Sequence, residues 1–159
     1  MSSLVRQVDE GWLHPDAAFA DAEPGECVDG SKRAQSQAPY DWQRDGRRVA
    51  CKSAQLVWNR SKEYWELLFR AVKLPREGER EAVFDELLLA AYTPEGVHVF
   101  RHDQQTGVTT NGKSTAASGQ QIGFVGPTQE PDWRVALFVV LDKLGIAGER
   151  LAFVPWEGL

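Results

Sequence analysis

The chain has 159 residues, 42% hydrophobic and 26% charged, with 18 Lys and Arg against 23 Asp and Glu for a net charge of −5. That length makes one domain able to bury a core, and the composition is that of a globular chain rather than a disordered or fibrous one. No apolar run of about 18 residues is present, which excludes a membrane-spanning helix.

The start, Met1 to Arg6, lacks the apolar region of a secretory signal. Two cysteines, Cys27 and Cys51, provide neither a disulfide framework nor a metal-ligand spacing. A reducing intracellular compartment, cytoplasmic or nuclear, is the expectation. The net charge hides a strong asymmetry: residues 1–29 sum to −6, residues 30–76 to +7 and residues 77–159 to −6. A positive middle third suits a polyanionic partner, although Lys and Arg that merely solvate strand faces would give the same count.

In chain order, Leu4, Val8, Trp12 and Leu13 recur at near-helical spacing and predict a first helix up to about Leu13, in an acidic stretch broken by Pro15 and Pro24. Gly30 to Ala38 is polar, basic and aperiodic. It reads as a loop whose Lys32, Arg33, Gln35 and Gln37 could contact phosphates or base edges, or lie idle at the surface. Asp45-Gly46 is a hairpin turn signal, because a type I′ turn needs positive φ at both central residues. It joins a strand from Tyr40 to Arg44 to a second one containing Arg48 to Lys52, so Asp41 comes close to Ala50–Lys52. The plain reading of Asp41 and Lys52 is a cross-strand ion pair, worth only a fraction of a kcal/mol at a surface.

Pro39-Tyr40-Asp41 followed by Ala50-Cys51-Lys52 resembles the PD-(D/E)xK nuclease superfamily, which includes type II restriction endonucleases. The pattern there is an Asp on one strand and an acid-x-Lys triplet on the next. The resemblance implies a restriction-endonuclease-like core: an α/β fold with a mixed central β-sheet flanked by helices. It also implies a Mg²⁺-dependent DNA endonuclease, with Mn²⁺ able to substitute, acting as a homodimer on DNA. Asp41 and the Cys51 backbone carbonyl would then be metal ligands, Lys52 would orient the attacking water or stabilise developing charge, and Gln55 would touch the water, the metal or DNA. A helix before the hairpin would add an acid, for which Glu10, Glu23 and Glu26 are the candidates.

The departure is Ala50, which stands at the acidic position of the triplet. Mg²⁺ takes oxygen ligands, typically one or two carboxylates with phosphate oxygens and water, so Ala50 removes a ligand. Three accounts stand side by side: an acid from elsewhere fills the space, the natural protein is catalytically dead, or the residue is a deliberate inactivating change. The expectation is a restriction-like endonuclease impaired or inactive at Ala50, or a nucleic-acid-binding module on the same fold.

Beyond the hairpin, Leu56-Val57-Trp58 continues or closes the second strand. Asn59 to Lys62 is a turn carrying Arg60 and Lys62, further candidates for nucleic-acid contact. Tyr64 to Val72 reads as a third strand, and residues 76–81 as a charged connection. Phe84 to Tyr92 is ambiguous between helix and strand by periodicity. Thr93-Pro94-Glu95-Gly96 is a turn and Val97 to Arg101 a strand, which favours a hairpin with Leu87–Tyr92 central and buried. His98 is then a half-exposed strand residue, and His14 and His102 have no catalytic partner.

Gly107 to Ser114 matches the phosphate-loop pattern G-x-x-x-x-G-K-[ST], whose Lys113 would hold phosphates. Its context fails, because Thr115 to Gly123 is interrupted by glycine and carries no apolar stripe. Lys113 against a nucleic-acid backbone is the better use, with nucleotide binding the weaker alternative. Gln121 to Val125 reads as a strand. Trp133, Ala136, Leu137, Val140, Leu141 and Leu144 form a helical stripe that can begin at Pro131 and ends at Gly145. Leu151 to Trp156 closes as a strand or extended tail suited to a core edge or a dimer contact. The whole is one domain: an acidic helix and arm (1–30), core strands carrying the site (35–100), and a loop, strand and packing helix (101–159).

Overall fold

The computed structural model describes residues 2–9, 40–74, 84–109 and 120–158. Its elements are α1 (Ser2–Asp9), β1 (Trp42–Arg44), β2 (Arg47–Gln55), β3 (Val57–Asn59), β4 (Tyr64–Val72), β5 (Glu86–Thr93), β6 (Gly96–His102), β7 (Val108–Thr109), β8 (Gln120–Val125), α2 (Trp133–Ile146), β9 (Gly148–Pro155) and a 3₁₀ turn, Trp156–Gly158. A five-stranded sheet runs β1-β2-β5-β6-β9, and a four-stranded sheet runs β3-β4-β8-β7. In the first, β2 and β5 are parallel and the other pairs antiparallel, so the sheet is mixed.

The expected α/β class and mixed sheet are present, with a correction to the layers. Strands predominate among the described residues, and a second, antiparallel sheet covers a face for which helices were expected. The two sheets and α2 enclose the main core, which includes Leu67, Phe69, Leu87, Leu89, Phe100, Ile122, Phe124, Leu137, Val140 and Leu144. On the other face of the five-stranded sheet, Val49, Leu88, Ala90, Val97 and Val99 gather with Trp42 and with Val5 of α1.

Local chemistry explains most elements. Asp45 (φ 52°) and Gly46 (φ 77°) both take positive φ, so the hairpin turn forms as expected. β1 starts only at Trp42, since Tyr40 and Asp41 bend away. The ambiguous apolar run is settled as β5. Leu87 to Ala91 are all fully buried, and a strand covered on both faces loses polar alternation. Gly96 is required at the β5–β6 turn, because a Cβ there would lie 2.4 Å from the Val154 carbonyl oxygen.

Other boundaries and exposures also differ from expectation. Leu56 does not continue β2: its N–H donates to the Tyr92 carbonyl (2.8 Å), and the chain then crosses to the second sheet as β3. Leu56, 4% exposed, fills the space between sheets, which is why the crossing falls there. α2 starts two residues after Pro131, capped by Asp132, whose Oδ1 accepts from the Arg134 N–H at 2.9 Å. It runs past Gly145 to Ile146, because buried Ala147, in right-handed geometry, continues the turn and donates to the Lys143 carbonyl. His98 is buried, not half-exposed, because β9 pairs along the outer side of β6 and Phe153 stacks on the imidazole at 4.4 Å.

Candidate functional site

Antiparallel pairing of Trp42 with Val49 carries on to the bend, where the Asp41 N–H donates to the Val49 carbonyl at 2.8 Å. Asp41 therefore meets the β2 edge at Val49 through its backbone and at Cys51 through its side chain. Its carboxylate is buried, and Oδ2 accepts from the Cys51 N–H at 2.7 Å. At this point β1 no longer covers β2, and a bare strand edge leaves backbone donors unmet. The Asp41 side chain closes that edge. The N–H and C=O of a strand residue point the same way, so the Cys51 carbonyl, expected as a metal ligand, also faces the Asp41 side.

Alternation along β2 puts Ala50 and Lys52 on one side and Cys51 and Gln55 on the other. Asp41 thus reaches the Cys51 backbone, Ala50 and Lys52 share one side of β2, and Gln55, in register with Tyr92, lies on the other. Ala50 is 2% exposed within the inter-sheet core, and Lys52 is half-buried. Lys32, Arg33, Gln35, Gln37, Lys113, Glu10, Glu23 and Glu26 lie outside the described residues. Of the phosphate-loop pattern, Gly107, Val108 and Thr109 are described: Gly107 turns with φ 74°, and Val108 and Thr109 pair with β8 as a strand.

These groups offer little to the expected metal. Asp41 brings one carboxylate with an oxygen already on a backbone donor, and Ala50 brings a methyl group. Among the described residues no group of three or more His, Cys, Asp or Glu could hold a metal ion. The described side chains do not by themselves fit Mg²⁺, and no hydrolytic step follows from them.

Charge is arranged differently from its order in sequence. Arg44 pairs through Nε with Asp9 (2.8 Å) and through Nη2 with Glu86. Glu86 also receives Arg47 at 3.0 Å and Arg101 at 3.6 Å, while Arg48 pairs with Asp85 at 3.3 Å. The hydrogen bond to Asp9 leads the effects that raise the Arg44 pKa above its ordinary value, outweighing burial. Three arginines of the positive middle third are therefore neutralised by acids of other segments. Arg60, Lys62, Arg70 and Lys73 remain exposed, on β4 or beside its ends.

Two organising groups were not legible as such. Glu86 is the centre of an arginine cluster, and its only local signal is an acid just before an apolar run. His102 shapes the loop that follows it: Nε2 donates to the Thr106 carbonyl (2.8 Å) and Nδ1 accepts from the Gln104 N–H (2.9 Å). Burial holds the His102 and His98 imidazoles below their ordinary pKa, against hydrogen bonds that raise it. No family model, curated protein or solved structure matches this chain. No helix among the described residues is long and apolar enough to cross a membrane.

Proposed function

We propose that the chain is a nucleic-acid-binding protein built around a PD-(D/E)xK-type hairpin, a DNA endonuclease site whose hydrolytic function is disabled at Ala50. The observation that supports this reading is the hydrogen bond from the Cys51 N–H to the Asp41 carboxylate, which brings Asp41 to the β2 edge between Ala50 and Lys52. A carboxylate at position 50 would stand beside Asp41 and form the pair that a Mg²⁺-dependent phosphodiesterase needs. The exposed Arg60, Lys62, Arg70 and Lys73 support contact with a phosphate backbone. The strand pairing of Val108 and Thr109 weighs against nucleotide binding at Gly107–Ser114. A homodimer belongs to the same reading, supported by the outward stripe of α2, where Phe138 is 77% and Ile146 76% exposed.

The test is plasmid cleavage in Mg²⁺ and Mn²⁺ by the chain itself, by Ala50→Glu, and by Ala50→Glu with Lys52→Ala, with DNA binding followed beside it. Binding by all three and cleavage by Ala50→Glu alone is the expected result. Cleavage by the unaltered chain would show that another acid completes the site. Absence of DNA binding in every form would overturn the reading.

A further inference from the structure

The helix α2 is apolar on both of its sides. Ala136, Leu137, Val140 and Leu144 are buried in the main core, while Val135, Phe138 and Ile146 are exposed on the side turned away from it. A helix that is apolar all round belongs in an interior, so the outward side of α2 calls for a cover. We propose that the cover is α2 of a second copy of this chain, crossing antiparallel with Phe138 at the two-fold axis. This contact rests on the homodimer of the reading above and gives it a surface and a register.

The order of side chains along the helix selects that occupant. Residues four apart line up as a ridge on a helix surface, and one ridge of α2 is Arg134, Phe138, Asp142 and Ile146, all exposed. Arg134 stands four residues before Phe138 and Asp142 four residues after it. Opposite charges therefore lie about 6 Å to either side of the aromatic ring along the helix axis. An antiparallel two-fold through Phe138 sets Arg134 against Asp142 of the partner at both ends, and the two Phe138 rings meet in the middle. A parallel copy in register would oppose like charges at both ends instead. The ridge is thus complementary to itself when reversed, which an isologous, closed contact requires.

The groups around the ridge leave both charges available to a partner. Arg134 lies over the Trp133 ring, its guanidinium carbon 4.6 Å from the centroid, and this contact keeps the cation at the helix surface. Lys143, next to Asp142, is engaged elsewhere: its Nζ donates to the Val125 carbonyl at 2.7 Å. Charge pairs across an interface set its register more than its strength. Phe138 and Ile146 would supply the apolar area, and the two ion pairs would fix the antiparallel alignment.

The experiment is sedimentation over a dilution series of five samples: the full chain, Arg134→Asp, Asp142→Arg, the protein carrying both exchanges, and an equimolar mixture of the two single variants. Thermal melts confirm folding, and DNA binding is followed on the same samples. The expected result is a dimer of the unaltered chain, weakened at least about tenfold in each single variant. Dimerisation should return in the doubly exchanged protein and in the mixture, because each charge again meets its opposite. Folded single variants that dimerise as well as the unaltered chain would overturn the α2 contact and leave a homodimer through another face. Failure of both the double exchange and the mixture to restore association would overturn the antiparallel register. An unaltered chain that stays monomeric throughout would overturn the contact and the homodimer together, with DNA binding deciding the nucleic-acid reading separately.

Discussion

The Asp41 carboxylate accepts a 2.7 Å hydrogen bond from the backbone N–H of Cys51, ten residues along the chain, at the point where β1 leaves the edge of β2. One residue thereby has two separable roles, edge closure and a place in the candidate site. Asp41→Ala would leave the Cys51 donor unmet and is expected to cost about 1–3 kcal/mol. Asp41→Asn keeps an acceptor and should retain most of that stability. Urea melts of the two variants check this, and equal losses would show that the charge, not the hydrogen bond, matters.

Ala50→Glu places a carboxylate where 2% exposure allows only a methyl group. Without metal it should lower stability by more than the roughly 1–3 kcal/mol that burying a neutral polar group costs. Mg²⁺ should restore most of the loss when Asp41 is present and little of it in an Asp41→Asn background. Thermal melts in EDTA and in Mg²⁺ give the answer independently of any cleavage.

Glu86 holds Arg44, Arg47 and Arg101 with its side chain 11% exposed. Glu86→Ala would leave clustered guanidinium groups without their common partner, at a cost of about 3 kcal/mol or more. Denaturant unfolding measures it. A change within about 0.5 kcal/mol would mean that Asp9 and Glu149 suffice.

Stability should fall as the pH drops below about 6.5, the unfolded-chain value for histidine. His98 and His102 have folded pKa values depressed chiefly by burial. Below that pH the unfolded chain takes up protons that the folded one refuses, so stability is fully present above about 6.5 and declines toward the folded values. Asp85 and Asp103, whose pKa values are lowered, act in the same direction only as the pH falls through the ordinary carboxylate range. Urea midpoints between pH 7.5 and 5 should show the first decline, with a shallower slope in His98→Phe.

Phe138 and Ile146 project from α2 among otherwise packed elements. If they form the homodimer contact, Phe138→Lys should leave the fold intact and shift sedimentation to the monomer. An unchanged sedimentation coefficient would remove this face from consideration.

What the sequence determined by itself was local. Asp45-Gly46 dictates a hairpin because few residues tolerate positive φ in succession, and the stripe from Trp133 to Leu144 dictates α2 because its period is helical. The approach of Asp41 to the Cys51 backbone followed from that turn. Tertiary structure decided what depends on distant partners. The second sheet arises where Leu56 leaves the first, and His98 is buried because β9 returns beside β6. The positive middle third loses much of its charge to Asp9 and Glu86, which meet Arg44 from 35 and 42 positions away. Sequence order records how many charges a segment carries, whereas their field depends on which opposite charges the fold brings within a few ångströms.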